Sequence, residues 1–135
     1  MTPRHISGIV PATIAMIITT APCSADPIDS HTSCSIAVRA FDSEKRAGQV
    51  LAGAPSPEVL QVGNYILNVI EGLDRERIEA GEPGIWSNFS DAGKHAIAAS
   101  AVANCRLHPS STINQAADVV YRYVRDVHLQ LGIIK

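Results

Sequence analysis

Ala103-Asn104-Cys105-Arg106-Leu107-His108-Pro109-Ser110-Ser111-Thr112-Ile113 carries the end of one helix, a turn and the start of the next. Pro109 cannot extend the helix before it, because it has no amide hydrogen and its ring clashes with the preceding turn. Ser110-Ser111-Thr112 then supplies hydroxyl oxygens for the free amides of a new helix. Downstream, Ile113, Ala116/Ala117, Val120, Tyr123/Val124, Val127 and Leu131 recur every three or four residues. That spacing predicts a helix with these side chains turned inward. Asn114, Arg122, Arg125 and Asp126 fall elsewhere on it. Upstream, Ser90-Asp91 opens another helix, whose expected inner face is Ala92, His95/Ala96, Ala99, Val102/Ala103 and Arg106. Side chains that small let two helices approach closely.

Further toward the N-terminus, Ser56-Pro57-Glu58 is a helix start. Ser56 can cap, Pro57 needs no donor at the first helical position, and Glu58 suits the positive end. Val59, Val62, Ile66, Val69/Ile70 and Leu73 then form an apolar stripe. Gly63 and Gly72 interrupt it at ~1 kcal/mol each relative to alanine, and close packing against another backbone is the expected reason. Asp74-Arg75-Glu76-Arg77 and Glu79 read as a solvated helix surface, and Gly81-Glu82-Pro83-Gly84 ends the helix. Ile85-Trp86-Ser87-Asn88-Phe89 is a short apolar connection expected to fold back over the core. Cys34 to Leu51 predicts a further helix with a break, closed by Gly53-Ala54-Pro55, and residues 26–33 a loose arm. The class is all-α, a small bundle of about four helices joined by Pro/Gly loops.

The first 25 residues differ in kind. Arg4 and His5 precede an apolar run from Ile6 to Ile18 that Pro11 interrupts, too short to prefer spanning a bilayer. Cleavage after Ala25 would place Cys23 and Ala25, both small, where a signal peptidase inspects. A cleaved signal peptide over 1–25 and a single helical domain over 26–135 are therefore expected, with a buried N-terminal helix or a lipid-modified Cys23 as alternatives. The remaining 110 of 135 residues suffice for one domain with a modest core. Removing Arg4 leaves 10 Lys+Arg against 13 Asp+Glu, a formal charge of −3. Such a balance gives no electrostatic reason to expect nucleic acid or a membrane surface as partner.

Export makes the cysteines informative. Cys34 and Cys105 would fold in an oxidising compartment, where one disulfide is their simplest state; free buried thiols and half of a metal site are the other readings. A metal is disfavoured because neither thiol belongs to a CxxC pair and the histidines are scattered. Seventy residues separate the two cysteines, so a bridge would restrict the unfolded chain by roughly 4 kcal/mol in the loop-entropy account. That matters for a core poor in aromatic bulk.

Catalysis needs a nucleophile or metal backed by a positioned base. His31, His95, His108 and His128 stand apart, and HExxH, GxSxG, CxxC and glycine-rich phosphate loops do not occur after residue 25. His95 lies four residues from Asp91, within reach of its carboxylate, but a solvated polar face is the simpler reading. His108 reads as a helix-end cation. Neither an enzyme nor a bound cofactor is expected, and His95 is the residue whose replacement would test for hydrolase activity.

The leader, the early Cys34, the helix Val62-Gly-Asn-Tyr65-Ile-Leu-Asn-Val-Ile-Glu-Gly72-Leu73 and the Cys105-Arg-Leu-His-Pro109 stretch together resemble the HdeA/HdeB acid-stress chaperones and their rhizobial relatives. The likeness covers most of residues 34–131, with a longer spacing between cysteines from an extra segment around residues 42–58. It implies a periplasmic protein in which Cys34 bonds Cys105, often a homodimer at neutral pH. Such proteins open in acid and hold unfolded periplasmic proteins without ATP. The stripe Val62, Ile66, Val69, Ile70 and Leu73 would then be buried when folded and client-binding when opened. Protonating every carboxylate and charging four histidines would take the chain from −3 to +14, and self-repulsion favours expansion. From another class, the exported helical immunity proteins of the Tai type, which bind one toxin tightly, are the alternative.

Overall fold

Each long helix after the first begins on a hydroxyl. In the computed structural model, which describes residues 27–46 and 55–135 (side chains of 44–46 excepted), Ser56 accepts from the Val59 amide at the head of α2, Pro57–Glu79. Ser90 accepts from the Gly93 amide at the head of α3, Asp91–Leu107. Thr112 forms a full capping box with Gln115 at the head of α4, Ile113–Gln130, which satisfies two otherwise orphaned donors. α1, Cys34–Arg46, precedes them, and a short 3-10 turn, Trp86–Asn88, lies between α2 and α3. The expected leader lies outside the described residues, as do residues 47–51 of the first expected helix, which runs without a break over its described part, Cys34–Arg46.

The architecture is an all-α, four-helix bundle with no strand among the described residues. α3 and α4 pack most extensively, α2 lies against both, and α1 rests on α3 and α2. The turn at 108–112 sets α3 and α4 antiparallel, so that Phe89, just ahead of α3, meets His128 near the end of α4. Residues 27–33 are tied down and do not form the loose arm expected. Asp29 closes a turn by accepting from the His31 amide at 2.8 Å, and Ser33 forms an isolated bridge with Thr112. The Cys34 amide donates to the Ser111 carbonyl, and the Ile113 amide to that of Thr32.

Two inward faces differ from expectation. On α3 the buried positions are Ile97, Ala98, Ala101, Val102 and Cys105, while Ala92, Ala96, Ala99 and Ala103 face water. Alanine occurs on both sides of this helix, so its spacing cannot choose a face. On α4 Tyr121 is buried, and Tyr123 is 71% exposed, as Leu131 also is at 69%. The glycine expectation is corrected too: a Cβ at Gly63 or Gly72 would meet nothing within 4 Å, so neither marks a close approach of backbones. At Gly84 the opposite holds, where a Cβ would lie 2.7 Å from Asp74 Oδ2 and 2.6 Å from Ile78 Cδ1.

Candidate functional site

The residues singled out from the sequence divide between the staple and the core. Cys34 and Cys105 form a disulfide with Cα atoms 4.9 Å apart, and both are fully buried. The bridge joins the first residue of α1 to the last turn of α3. Of the apolar stripe, Val62, Ile66 and Ile70 are buried in the main core cluster, and Val69 and Leu73 are half-buried against it. The stripe is thus core in the folded protein and offers no open groove.

Below the stripe sits the feature that composition concealed. Val62, Ile66, Ile70 and Asp74 follow one another at intervals of four, so the carboxylate of Asp74 occupies the next position on the apolar face. It is 3% exposed, which corrects the reading of this charged run as solvated. A buried carboxylate needs donors, and three converge on it. The Ile85 amide donates to Oδ1 at 2.8 Å, the Trp86 amide to Oδ2 at 3.1 Å, and the Tyr121 hydroxyl to Oδ1 at 3.0 Å. Burial, and then the neighbouring Asp74 carboxylate, push the Tyr121 phenol up to about 12. The four-residue interval from the stripe was the available signal for Asp74. Tyr121 had none without its partner.

A second carboxylate lies outside the first. Glu82, in the connection after α2, takes Arg125 of α4 at 2.7 Å and Arg77 of α2 at 3.4 Å. Arg125 is 13% exposed, and its Nε is buried with no acceptor among the described residues. Residues 81–90 are therefore strapped across the bundle by backbone amides and by a side chain. Gly81, with φ at 81°, makes the turn into this strap. Its apolar side chains close the core beneath: Ile85 is buried, and Trp86 and Phe89 pack against the same cluster. Trp86 carries the Lys94 ammonium 4.9 Å from its ring centroid, and Phe89 meets the His128 ring edge-on at 5.2 Å.

The histidines do not assemble. His95 is hydrogen-bonded through Nδ1 to the Asp91 backbone carbonyl at 2.7 Å and not to its carboxylate; His128 bonds the Val124 carbonyl in the same way. His108 is the exposed C-cap of α3, and His31 is exposed in the first turn. Among the described residues no group of three potential metal ligands is found, and no helix is long and apolar enough to cross a membrane. The class so defined is a disulfide-tied helical bundle with a carboxylate-held strap. No family model, curated protein or solved structure matches the chain.

Proposed function

We propose that the chain is an exported, periplasmic holdase of the HdeA/HdeB acid-stress kind, whose clients are other unfolding periplasmic proteins. The observation that carries this reading is how unevenly the bundle is fastened. The disulfide closes a loop from Cys34 to Cys105, and α2, which bears the stripe Val62, Ile66, Val69, Ile70 and Leu73, lies inside that loop, held by packing and polar contacts alone. Loosening α2 would present an apolar surface while the covalent loop keeps the chain from unravelling. Apolar area of that kind is what captures an unfolding client.

Light scattering of an acid-denatured client checks this with the purified, oxidised protein. Suppressed aggregation at about pH 2–3 that vanishes at pH 7 is expected. Unchanged aggregation in acid at a several-fold molar excess would refute the reading.

A second reading has its own observation. On the outer face of α4, Tyr123 is 71% exposed with Val119 four residues before it, and Arg122 is exposed alongside. Tyrosine and arginine are the side chains that most often anchor protein interfaces, which suits an inhibitor or immunity protein binding one toxin in the folded state. A nanomolar complex at pH 7, lost on Tyr123→Ala, would favour it over the holdase.

A further inference from the structure

We propose that the strap, residues 81–90, is an acid-released cover: it leaves the core in acid before the staple end loosens, and it sets which apolar surface appears first. The inference deepens the holdase reading and rests on it for its purpose, although the release itself needs no client to be observed.

The argument starts from what holds the strap. Two carboxylates do: Asp74 on α2, accepting the Ile85 and Trp86 amides, and Glu82 on the strap, accepting Arg77 and Arg125. Every other charged or titratable group facing it that the contacts define is a donor or cation. α4 contributes the Tyr121 hydroxyl to Asp74, Arg125 to Glu82 and His128 to Phe89. α3 contributes Lys94 over Trp86, and α2 adds Arg77. Acid supplies the proton that each carboxylate can take up, and uptake by both removes the two negative charges that hold the strap. The cations Arg77, Arg125 and Lys94 then remain with neither strap carboxylate left to offset them.

Geometry adds a second cost. A protonated Asp74 must donate through one oxygen, yet the Ile85 amide, the Trp86 amide and the Tyr121 hydroxyl already point donors at the pair. Only the hydroxyl can turn round and accept. If it does, the phenol's own proton loses its acceptor in a buried place, and both strap amides are left on a neutral carboxyl that holds them less strongly than a carboxylate, which favours opening. Ile85, Trp86 and Phe89 then leave the core together. The other end also holds carboxylates, Asp29 accepting from the His31 amide and Asp42 paired with Arg106, but there the covalent bond from Cys34 to Cys105 stays closed when acid weakens those contacts.

Trp86 is the chain's one tryptophan, so its emission reports the strap directly. The experiment follows that emission and residue-resolved amide protection factors of the oxidised protein from pH 7 to pH 2, without client. The expected result is a red shift, with protection at the Ile85 and Trp86 amides falling at least tenfold more than at Cys34 and Ile113. Asp74→Asn should already lower strap protection at pH 7. Glu82→Gln, at a half-exposed position, should move the emission midpoint to higher pH. Strap amides that stay protected while emission is unchanged at pH 2, or all amides losing protection together, overturn the proposal. Client scattering in the same solutions separates it from the holdase reading. Strap release without client protection supports the release and removes the holdase; client protection with a closed strap does the reverse.

Discussion

The two ends of the α3–α4 pair are fastened by different chemistry. At the end where α3 stops and α4 begins, a disulfide with no exposed surface lies among backbone hydrogen bonds. At the end where α3 begins and α4 finishes, the strap is held by Asp74 and Glu82 against Tyr121, Arg77 and Arg125. The first fastening keeps its covalent bond in acid, although Asp29, held below the usual carboxylate range first by the His31 amide, and Asp42, paired with Arg106, lie beside it; the second has polar contacts alone. A small core rich in alanine cannot hold both ends by burial alone. The contrast therefore decides where the molecule gives way: a bond restricts one end in every condition, and a set of charges restricts the other only while they are charged.

Removing the staple is the largest expected perturbation. Reduction, or the pair Cys34→Ala and Cys105→Ala, should lower the unfolding free energy by about 4 kcal/mol, the loop-entropy figure for a closure of this length. The loss should be similar at pH 7 and pH 4, as read from denaturant melts. A loss that doubled or halved between those pH values would mean that the two ends are not independent.

Asp74→Asn comes next. The amide group of asparagine brings a donor to a place already crowded by donors, and hydrogen bonds to a charged acceptor contribute about 1.5–3 kcal/mol. A destabilisation of about 2 kcal/mol at pH 7 is expected, and a smaller one in acid, where the wild-type strap is itself loosened. If the variant costs the same at pH 7 and pH 3, the polar end is not what acid loosens. Combined with the cysteine pair, the two losses should add, since separated sites with no shared partner act independently.

Tyr121→Phe sharpens the comparison from the alkaline side. The folded phenol titrates at about 12 and an unfolded one near the ordinary 10, so the fold favours the neutral form. Its contribution is fully present below about pH 10 and is lost as pH rises toward 12. Wild-type stability should therefore fall between pH 10 and pH 12, and the variant should show a flatter profile there. Tyr65, whose phenol is also raised by burial, acts with the same sign, so some slope remains. At pH 7 the missing hydroxyl should cost about 1 kcal/mol. A variant whose alkaline profile matches the wild type would take Tyr121 out of the polar end.

How much of this was readable follows the same division. The helix starts at Ser56, Ser90 and Thr112 and the pairing of Cys34 with Cys105 were legible because caps and cysteines act locally or covalently. Apart from Val102, which is buried as expected, the outer face of α3 was mistaken for the inner because alanines surround it. Cys105 held the correct register, since Ala98, Ala101 and Val102 lie seven, four and three residues before it. On α4 the spacing pointed to Tyr123, whereas Tyr121 is the buried one, held by Asp74 on another helix, a contact no local pattern contains. Asp74 itself was hidden by its charged neighbours Arg75 and Glu76, although it continues the Val62, Ile66, Ile70 series. Polar residues buried by tertiary partners are the ones that reading along a chain misses.

The smallest effects test the stretch of α2 between the two ends. Gly63 and Gly72 lie inside a long helix with open space where a side chain would go. Alanine fits there without strain, restricts the unfolded chain and has the better helix propensity, so each replacement should stabilise by about 0.5–1 kcal/mol. Neither touches the staple or the strap, so thermal unfolding should shift upward at pH 7 and the acid midpoint of Trp86 emission should move little. If instead the double replacement carried the acid midpoint with it, strap release would be coupled to unwinding of the whole of α2. The two fastenings would then act on one cooperative unit, with the glycines setting how readily it yields.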